Sequence, residues 1–281
     1  MGEKRASHVY QRTFISYIVY MRGEGVYQKK EYGLEMKPGT KEFFGLQYSA
    51  AQILSEKLQI PLEEALFKYT VFPRRFGLAA SGGSVDTSNP RWQTYVQGLK
   101  EHPDDPVEYT LAFYRESPSE APRSPEFVFG CFSFEPPLED GVVKIHFNNT
   151  DTDEKGPLSN EKIEKRKQEL TEMFTHIKQT YPQAAIVRGA SWLYEREEYR
   201  RLFPASYCDS RQPFEQGKRI QGMHYWGQFL DSKREVRPEL AQQFLDNLKE
   251  VDTDHILDAF PALPNKVEAP MADFYAFYGI A

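Results

Sequence analysis

His146, Ser191 and a small set of aromatic and basic residues carry the side chains of this sequence that could do chemistry. His146 lies in Ile145-His146-Phe147 and is followed by Asn148 and Asn149. An imidazole at a strand end beside polar groups can serve as a general base, because it titrates near neutral pH. A histidine hydrogen-bonded to a neighbouring group is the competing role. Ser191, in Gly189-Ala-Ser-Trp-Leu, sits between a strand signal and a helix signal, where a hydroxyl could act as a nucleophile. The second glycine of a Gly-x-Ser-x-Gly elbow is missing, so capping the following helix competes with that role. Arg188, Trp192, Tyr194 and His224-Tyr225-Trp226 offer charge and stacking surfaces to a planar or anionic ligand, or simply pack a core.

Other chemistries lack their residues. Asn149-Thr-Asp151-Thr-Asp153-Glu154-Lys-Gly156 alternates oxygens as a hard cation would want, but counting from Asp151 places Lys155 and Lys162 where a calcium loop needs ligands. A solvated acidic loop facing the positive end of the next helix is expected instead. Cys131 and Cys208 form no Cys-x-x-Cys pair and no zinc spacing, so reduced thiols and no metal are expected. The small-residue loop Ala79 to Pro90 reads as a mobile lid or a surface connection; no Gly-Lys-Ser/Thr follows it, which excludes a P-loop, and no Gly-x-Gly-x-x-Gly occurs to support a dinucleotide fold.

The elements that must position these residues are mixed, and an α+β fold is expected. Strand signals run over Thr13 to Met21, Phe127 to Phe134, Val142 to Phe147 and Ala184 to Val187. The second and third form an antiparallel hairpin through Glu135 to Gly141. Helices are expected after Ser49, over Leu62 to Tyr69 behind Pro61, from Asn160 to Thr180, after Trp192 through about Phe203, and from Arg237-Pro238. In the Asn160 helix, Ser159 or Asn160 caps the start and Ile163, Leu170, Phe174 and Ile177 share one face. The proline-rich stretch 116–125 reads as a linker between a mainly helical domain, 1–115, and an α+β domain, 126–281. The aromatic tail Ala272 to Ala281 must dock on its own domain or on a partner protein.

The second half also carries Phe129-Gly-Cys-Phe-Ser-Phe-Glu135, Ile145-His146-Phe147, Gly156-Pro-Leu-Ser159, Ser191-Trp192-Leu193 and Leu202-Phe203-Pro204, in that order. This series resembles the C-terminal half of a bacterial acyltransferase-like family related to the N-acetyltransferase (GNAT) superfamily. The resemblance implies a GNAT-like mixed sheet with flanking helices, onto which the helical N-terminal half packs, and acyl coenzyme A as the cofactor. It implies that the backbone N–H groups of Leu158, Ser159 and Asn160 face the coenzyme pyrophosphate, with Arg188 and Trp192 as further contacts. His146 or a carboxylate would take the proton of an amine, Tyr194 would protonate the leaving thiolate, and Ser191 would be a further catalytic hydroxyl. The sequence departs from the superfamily at the pyrophosphate loop. Asp151, Asp153 and Glu154 stand where Gln/Arg-x-x-Gly-x-Gly/Ala is the rule, and the one string of that form, Arg74-Arg-Phe-Gly77-Leu-Ala79, lies elsewhere. A non-catalytic module of the same fold, binding a small molecule or a protein, is the alternative implied.

Composition narrows the partners. The chain has 281 residues with a net charge of -6, which opposes sequence-independent attraction to nucleic acid. The helix pair around Pro61 opens its second member with Glu63 and Glu64, which would repel phosphates in a DNA groove. No apolar h-region follows the basic N-terminus, and apolar runs such as Phe14 to Met21 fall short of the roughly 20 residues a membrane helix needs. A cytoplasmic protein acting on a small-molecule ligand is expected.

Overall fold

Residues 43/44, 47/48, 50/51 and 54 recur at helical spacing, and they define the buried stripe of the first helix, α1, Thr40–Leu58. The helix ends at Gln59, whose φ of 53° is the left-handed conformation common after a last turn, and Pro61 follows. The computed structural model describes residues 40–78, 86–117, 125–151, 153, 155–213 and 220–281, all within one compact unit, Pro38–Ala281. The expected strand Thr13 to Met21 lies outside the described residues. So do residues 79–85 of the small-residue loop and residues 118–124 of the expected linker.

Helices α2 (Leu62–Tyr69), α3 (Phe72–Arg75), α4 (Pro90–Glu101) and α5 (Pro106–Arg115) complete the first run. Asn89 caps α4 by accepting from Arg91 N–H at 3.0 Å, and Pro90 fills a position whose N–H would have no partner. The α1 helix starts nine residues before Ser49, because Phe43, Phe44 and Leu46 extend its apolar stripe and only Gly45 interrupts its propensity. Gln47, fully buried, joins α1 to α3: its Oε1 accepts from Val71 N–H at 2.8 Å and its Nε2 donates to Phe43 C=O at 3.2 Å.

A six-stranded mixed sheet follows, so the α+β class holds. Its strands are β1 (Val128–Phe129), β2 (Phe132–Glu135), β3 (Val142–Phe147), β4 (Ile186–Ser191), β5 (Gln212–Pro213) and β6 (Asn265–Pro270). The spatial order is β1-β2-β3-β4-β6-β5, antiparallel everywhere except between β3 and β4. The crossover between those two parallel strands contains α6 (Ile163–Thr180). It packs Leu170, Met173, Phe174 and Ile177 beneath the sheet, a burial of about 1.5–3 kcal/mol for each large side chain. Short helices α7 (Glu197–Arg200), α8 (Ala205–Asp209) and α9 (Met223–Trp226) lead to α10 (Pro238–Glu250), and α11 (Met271–Tyr278) closes the chain. The aromatic tail is therefore a helix docked on its own fold. Phe274 is buried, Tyr278 Oη donates to Leu202 C=O, and Phe277 stays exposed.

The buried apolar residues form two clusters. One joins the helices of 43–111 to the segment 220–260, and the other lies under the sheet between α6, α8 and α11.

Four local expectations change. The strand 127–134 is broken by Gly130, whose φ of 59° makes a tight turn pairing Phe129 with Phe132. The next strand begins two residues later than Ala184 and runs on through Gly189, Ala190 and Ser191, whose small side chains mask a strand pattern. The helix expected through Phe203 is a 3-10 turn, Trp192–Glu195, and the short α7, separated by extended Arg196. Neither Ser159 nor Asn160 caps α6, because a 3-10 turn, Asn160–Lys162, precedes it and Lys162 occupies the cap position.

Candidate active site

Strands β3 and β4 pair in register at Val142 with Ile186, Val143 with Val187 and Lys144 with Arg188, and then part, although β3 continues to Phe147 and β4 to Ser191. The phase of the backbone bonds follows from the flanking ladders. Asn148 N–H donates to Cys131 C=O at 2.8 Å, so even-numbered β3 residues turn their backbone groups to β2 and odd-numbered ones to β4. Ile186 N–H donates to Gly141 C=O at 3.3 Å, and Met271 N–H to Ala185 C=O at 2.8 Å, so even-numbered β4 residues face β3. The last rung is therefore Ile145 N–H to Arg188 C=O. The next, Ala190 N–H to Ile145 C=O, is not made, which leaves a backbone donor and an acceptor outside the ladder at the wedge where the two strands part.

The two faces of the sheet differ sharply at this wedge. His146 stands on the outer face, with its Nε2 2.9 Å from Glu135 Oε1, while Lys144 Nζ lies 3.6 Å from the other carboxylate oxygen. A carboxylate on Nε2 keeps the proton there and leaves the Nδ1 lone pair to accept one, which is the arrangement of an oriented general base. Arg188, on the same face, is tied to Glu268 through Nε at 3.0 Å, so its charge is already matched.

Tyr194 lies beneath the sheet. It is 1% exposed, its hydroxyl is 2.9 Å from that of Tyr207, and both hydroxyls sit where a side chain on Gly189 would go. Burial, with Tyr207 adding to it, pushes the Tyr194 phenol well above its usual range. Phe147 fills the space alongside, edge-on to Tyr199 at 5.6 Å. Ser191 Oγ accepts from Leu193 N–H at 3.1 Å, the capping role, and Trp192 begins the 3-10 turn beside it.

The turn before α6 carries Leu158, Ser159 and Asn160. Arg201 grips it, donating through Nη1 to Asn160 Oδ1 at 2.6 Å and through Nη2 to Leu158 C=O at 2.9 Å. The acidic loop behind the turn is not solvated at Asp151, whose side chain is 5% exposed. Lys162 reaches Asp151 at 2.7 Å and Asp153 at 2.6 Å, Lys165 reaches Asp151 at 2.7 Å, and buried Arg166 reaches it at 2.9 Å. Burial alone would raise the Asp151 carboxyl. The lysine hydrogen bonds and Arg166 more than offset it and hold the group far below the usual carboxylate range. The carboxylates expected to repel a pyrophosphate are thus matched by cations at Asp151 and Asp153, while Glu154 lies outside the described residues.

A second group of cations comes from the helical cluster. The turn Asp231-Ser-Lys-Arg-Glu235 presents Arg234 with a φ of 68°, and Arg234 Nη2 donates to Asn148 Oδ1 at 3.1 Å and to Asn149 C=O at 2.9 Å. Arg75 Nη2 lies 3.6 Å from Met223 Sδ, and Met223 begins α9, which packs against β4. Burial and then Arg75 work against the Arg234 charge. Burial and then Arg74 pull the nearby His224 down to about 4, so that ring is neutral at pH 7.

The structure thus brings His146 together with Glu135, and Leu158 and Asn160 with Arg201. It sets Ser191 and Trp192 at the far lip of the wedge and Tyr194 on the opposite face. Glu135 could have been found from the hairpin register, since His146 is the diagonal neighbour of a residue facing Lys144. Nothing in the sequence singles out Arg75 or Arg234. Two shallow depressions lie away from His146, one lined by Gln97, His102 and Tyr109 and one by Asp231, Arg237 and Gln243. Among the described residues no cluster of acidic, histidine and cysteine side chains could hold a metal, and no helix is long and apolar enough to cross a membrane. The chain matches no family model, no curated protein and no solved structure.

Proposed function

We propose that this chain is an acyltransferase that uses an acyl coenzyme A thioester, with His146 as the base. The observation that carries the reading is the parting of β3 and β4, two parallel strands joined through α6, with the Glu135–His146 pair on one lip. A mixed sheet with one parallel junction crossed by a helix is compatible with the GNAT-like sheet that the resemblance implies, and supports the reading to that extent.

The residues at the α6 turn fit the coenzyme. Arg201 supplies a fixed guanidinium beside Leu158 and Asn160, and the acids behind it are neutralised by Lys162, Lys165 and Arg166. When bound, the coenzyme supplies a thioester-activated acyl group. His146 then accepts the proton of the acceptor at Nδ1 while Glu135 steadies the ring through Nε2. The Ala190 N–H, released from the ladder, is a donor for the oxygen on which negative charge develops. A proton for the departing thiolate must come from a group other than Tyr194, whose hydroxyl is enclosed with Tyr207. That enclosure also favours a second reading, a non-catalytic module that binds a small molecule in the same wedge.

Thermal unfolding with coenzyme A and acetyl coenzyme A at constant ionic strength tests the proposal. A ligand at a hundred times its dissociation constant stabilises by about 2.7 kcal/mol, a rise of several degrees. A rise followed by thiol release in the presence of an acceptor amine supports acyl transfer. A rise without turnover supports the binding module, and no rise at millimolar coenzyme sinks the acyltransferase reading.

A further inference from the structure

Trp192 and Met223 meet over Gly227, beside the wedge. A β-carbon on Gly227 would lie 3.6 Å from Met223 Cε and 3.7 Å from Trp192 Nε1, so both side chains reach one point above the Gly227 backbone. The conformation there does not ask for glycine: a φ of -64° and a ψ of -20° are right-handed and open to any residue. What the missing side chain leaves is a close approach to the backbone between an indole and a thioether, one of the uses of glycine at a ligand site. Met223 is 38% exposed, and Trp192 and Gly227 are half-buried, so solvent reaches the spot.

The chain itself ties this surface to the wedge. Ala190, whose N–H is released from the ladder, is exposed and stands two residues before Trp192 with extended Ser191 between them, a step of about 7 Å. Helix α9, which opens with Met223, packs against β4, and its Tyr225 and Trp226 belong to the helical cluster rather than to the one that encloses Tyr194 and Tyr207. An acyl group whose carbonyl oxygen accepts from Ala190 N–H thus has an apolar surface within reach of its chain, and a chain of roughly six carbons spans that step. The indole supplies a flat wall and the thioether a pliable one. The apolar surface ends at Arg75, whose Nη2 lies 3.6 Å from Met223 Sδ. We propose that Trp192, Met223 and Gly227 form the subsite of the acyl chain, and that the acyl donors of this protein carry apolar chains of about six carbons rather than acetyl groups. The identity of the chain as an acyl group rests on the acyltransferase reading, and the apolar subsite rests on the Trp192–Met223–Gly227 geometry.

Equilibrium titration with coenzyme A, with its acetyl, hexanoyl and decanoyl thioesters, and with free hexanoate tests the proposal. Acrylamide quenching of tryptophan fluorescence reports on the subsite directly, because of the three tryptophans Trp92 and Trp226 are each 1% exposed and Trp192 is the one that solvent reaches. A buried methylene is worth about fourfold in affinity, so hexanoyl coenzyme A should bind at least about tenfold more tightly than acetyl coenzyme A. It should also shield Trp192 from acrylamide, and the decanoyl thioester should gain little more. Gly227→Leu fills the space and Met223→Ala removes one wall; each should lose most of the hexanoyl preference and keep the affinity for coenzyme A itself. Gly227→Ala, whose methyl makes only ordinary contacts, should fold as the wild type does and keep part of the preference. Equal affinities for the acetyl and hexanoyl thioesters, or a preference that survives in folded Gly227→Leu and Met223→Ala, overturn the subsite. Shielding by hexanoate as strong as by the thioester overturns the assignment to an acyl donor in favour of a free fatty acid. A chain that binds no coenzyme compound removes the acyltransferase reading, and hexanoate then decides the subsite alone: shielding of Trp192 that Gly227→Leu abolishes supports it, and no shielding overturns it.

Discussion

His146 and Tyr194 stand on opposite faces of one sheet. His146 shares the outer face with Lys144, which is in register with Arg188, while the Tyr194 hydroxyl lies where the next residue, Gly189, would carry a side chain on the inner face. A base and an acid that exchange protons with one substrate must reach the same opening, so the two residues should respond differently to mutation. His146→Gln is expected to lower kcat/KM for acyl transfer by about a hundredfold or more. Tyr194→Phe should leave the rate near wild type and reduce stability by about 1 kcal/mol through loss of the Tyr207 hydrogen bond. Steady-state assays beside urea unfolding measure both. A folded Tyr194→Phe protein with no activity would place the phenol in the reaction after all.

Gly189 is where the strand and the tyrosine pair compete for space. A methyl group there meets the Tyr194 and Tyr207 hydroxyls, and the strand cannot shift easily because β6 pairs along its whole length. Gly189→Ala is therefore expected to cost about 1–3 kcal/mol, in the manner of an overpacked core. In a background carrying Tyr194→Phe and Tyr207→Phe the cost should fall by about 1 kcal/mol. Urea midpoints with unchanged slope would measure it. Strict additivity would mean that the destabilisation comes from the backbone rather than from the hydroxyls.

The readable parts of this fold are those where one residue type dictates one structure. Leu170, Phe174 and Ile177 specify the buried face of α6, and Pro136 to Gly141 is the connection between two strands. The reading fails where a side chain far away in sequence decides. Gly130 breaks a strand pattern because it turns with positive φ against the Glu169 side chain. Gly189 and Ala190 look unlike a strand because the tyrosines beneath need the room. Asp151 looks like a solvated loop residue until Lys162, Lys165 and Arg166 are seen to close over it. Of the candidate site, the His146 position was legible from its strand. Arg234 was not, since Asp-Ser-Lys-Arg-Glu reads as an ordinary charged turn and only its contact with Asn148 gives it meaning.

Arg201 offers a test of the coenzyme site that spares the base. Its guanidinium spans Asn160 Oδ1 and Leu158 C=O, fixing both the charge and the shape of the turn before α6. Arg201→Ala should weaken coenzyme A binding about tenfold, the loss of one charge-assisted contact. Calorimetric titration with coenzyme A measures the change, and an unchanged affinity in a folded Arg201→Ala protein would remove Arg201 from the coenzyme site.

Asp151 makes the acid limit of the fold predictable. Its ordinary pKa is 3.8, and in the folded chain Lys162, Lys165 and Arg166 outweigh its burial and lower it far below that. A carboxyl whose folded value is depressed contributes stability that is fully present above its unfolded value and is lost as the pH falls toward the folded one. The loss should therefore begin near pH 4 and continue to the lowest pH at which the chain folds. Glu169 has the opposite sign: burial raises it, so its protonation on the way down favours the fold and cannot account for that loss. Asp151→Asn should destabilise the chain by about 3 kcal/mol at neutral pH, because Arg166, 1% exposed, is left with only Glu169 at 3.0 Å. It should also flatten the fall below pH 4, since no group of depressed value remains at that position to be protonated. Urea unfolding at intervals from pH 7 to pH 2 measures both effects, and wild-type and Asp151→Asn curves that run parallel below pH 4 would assign the acid sensitivity to other carboxylates.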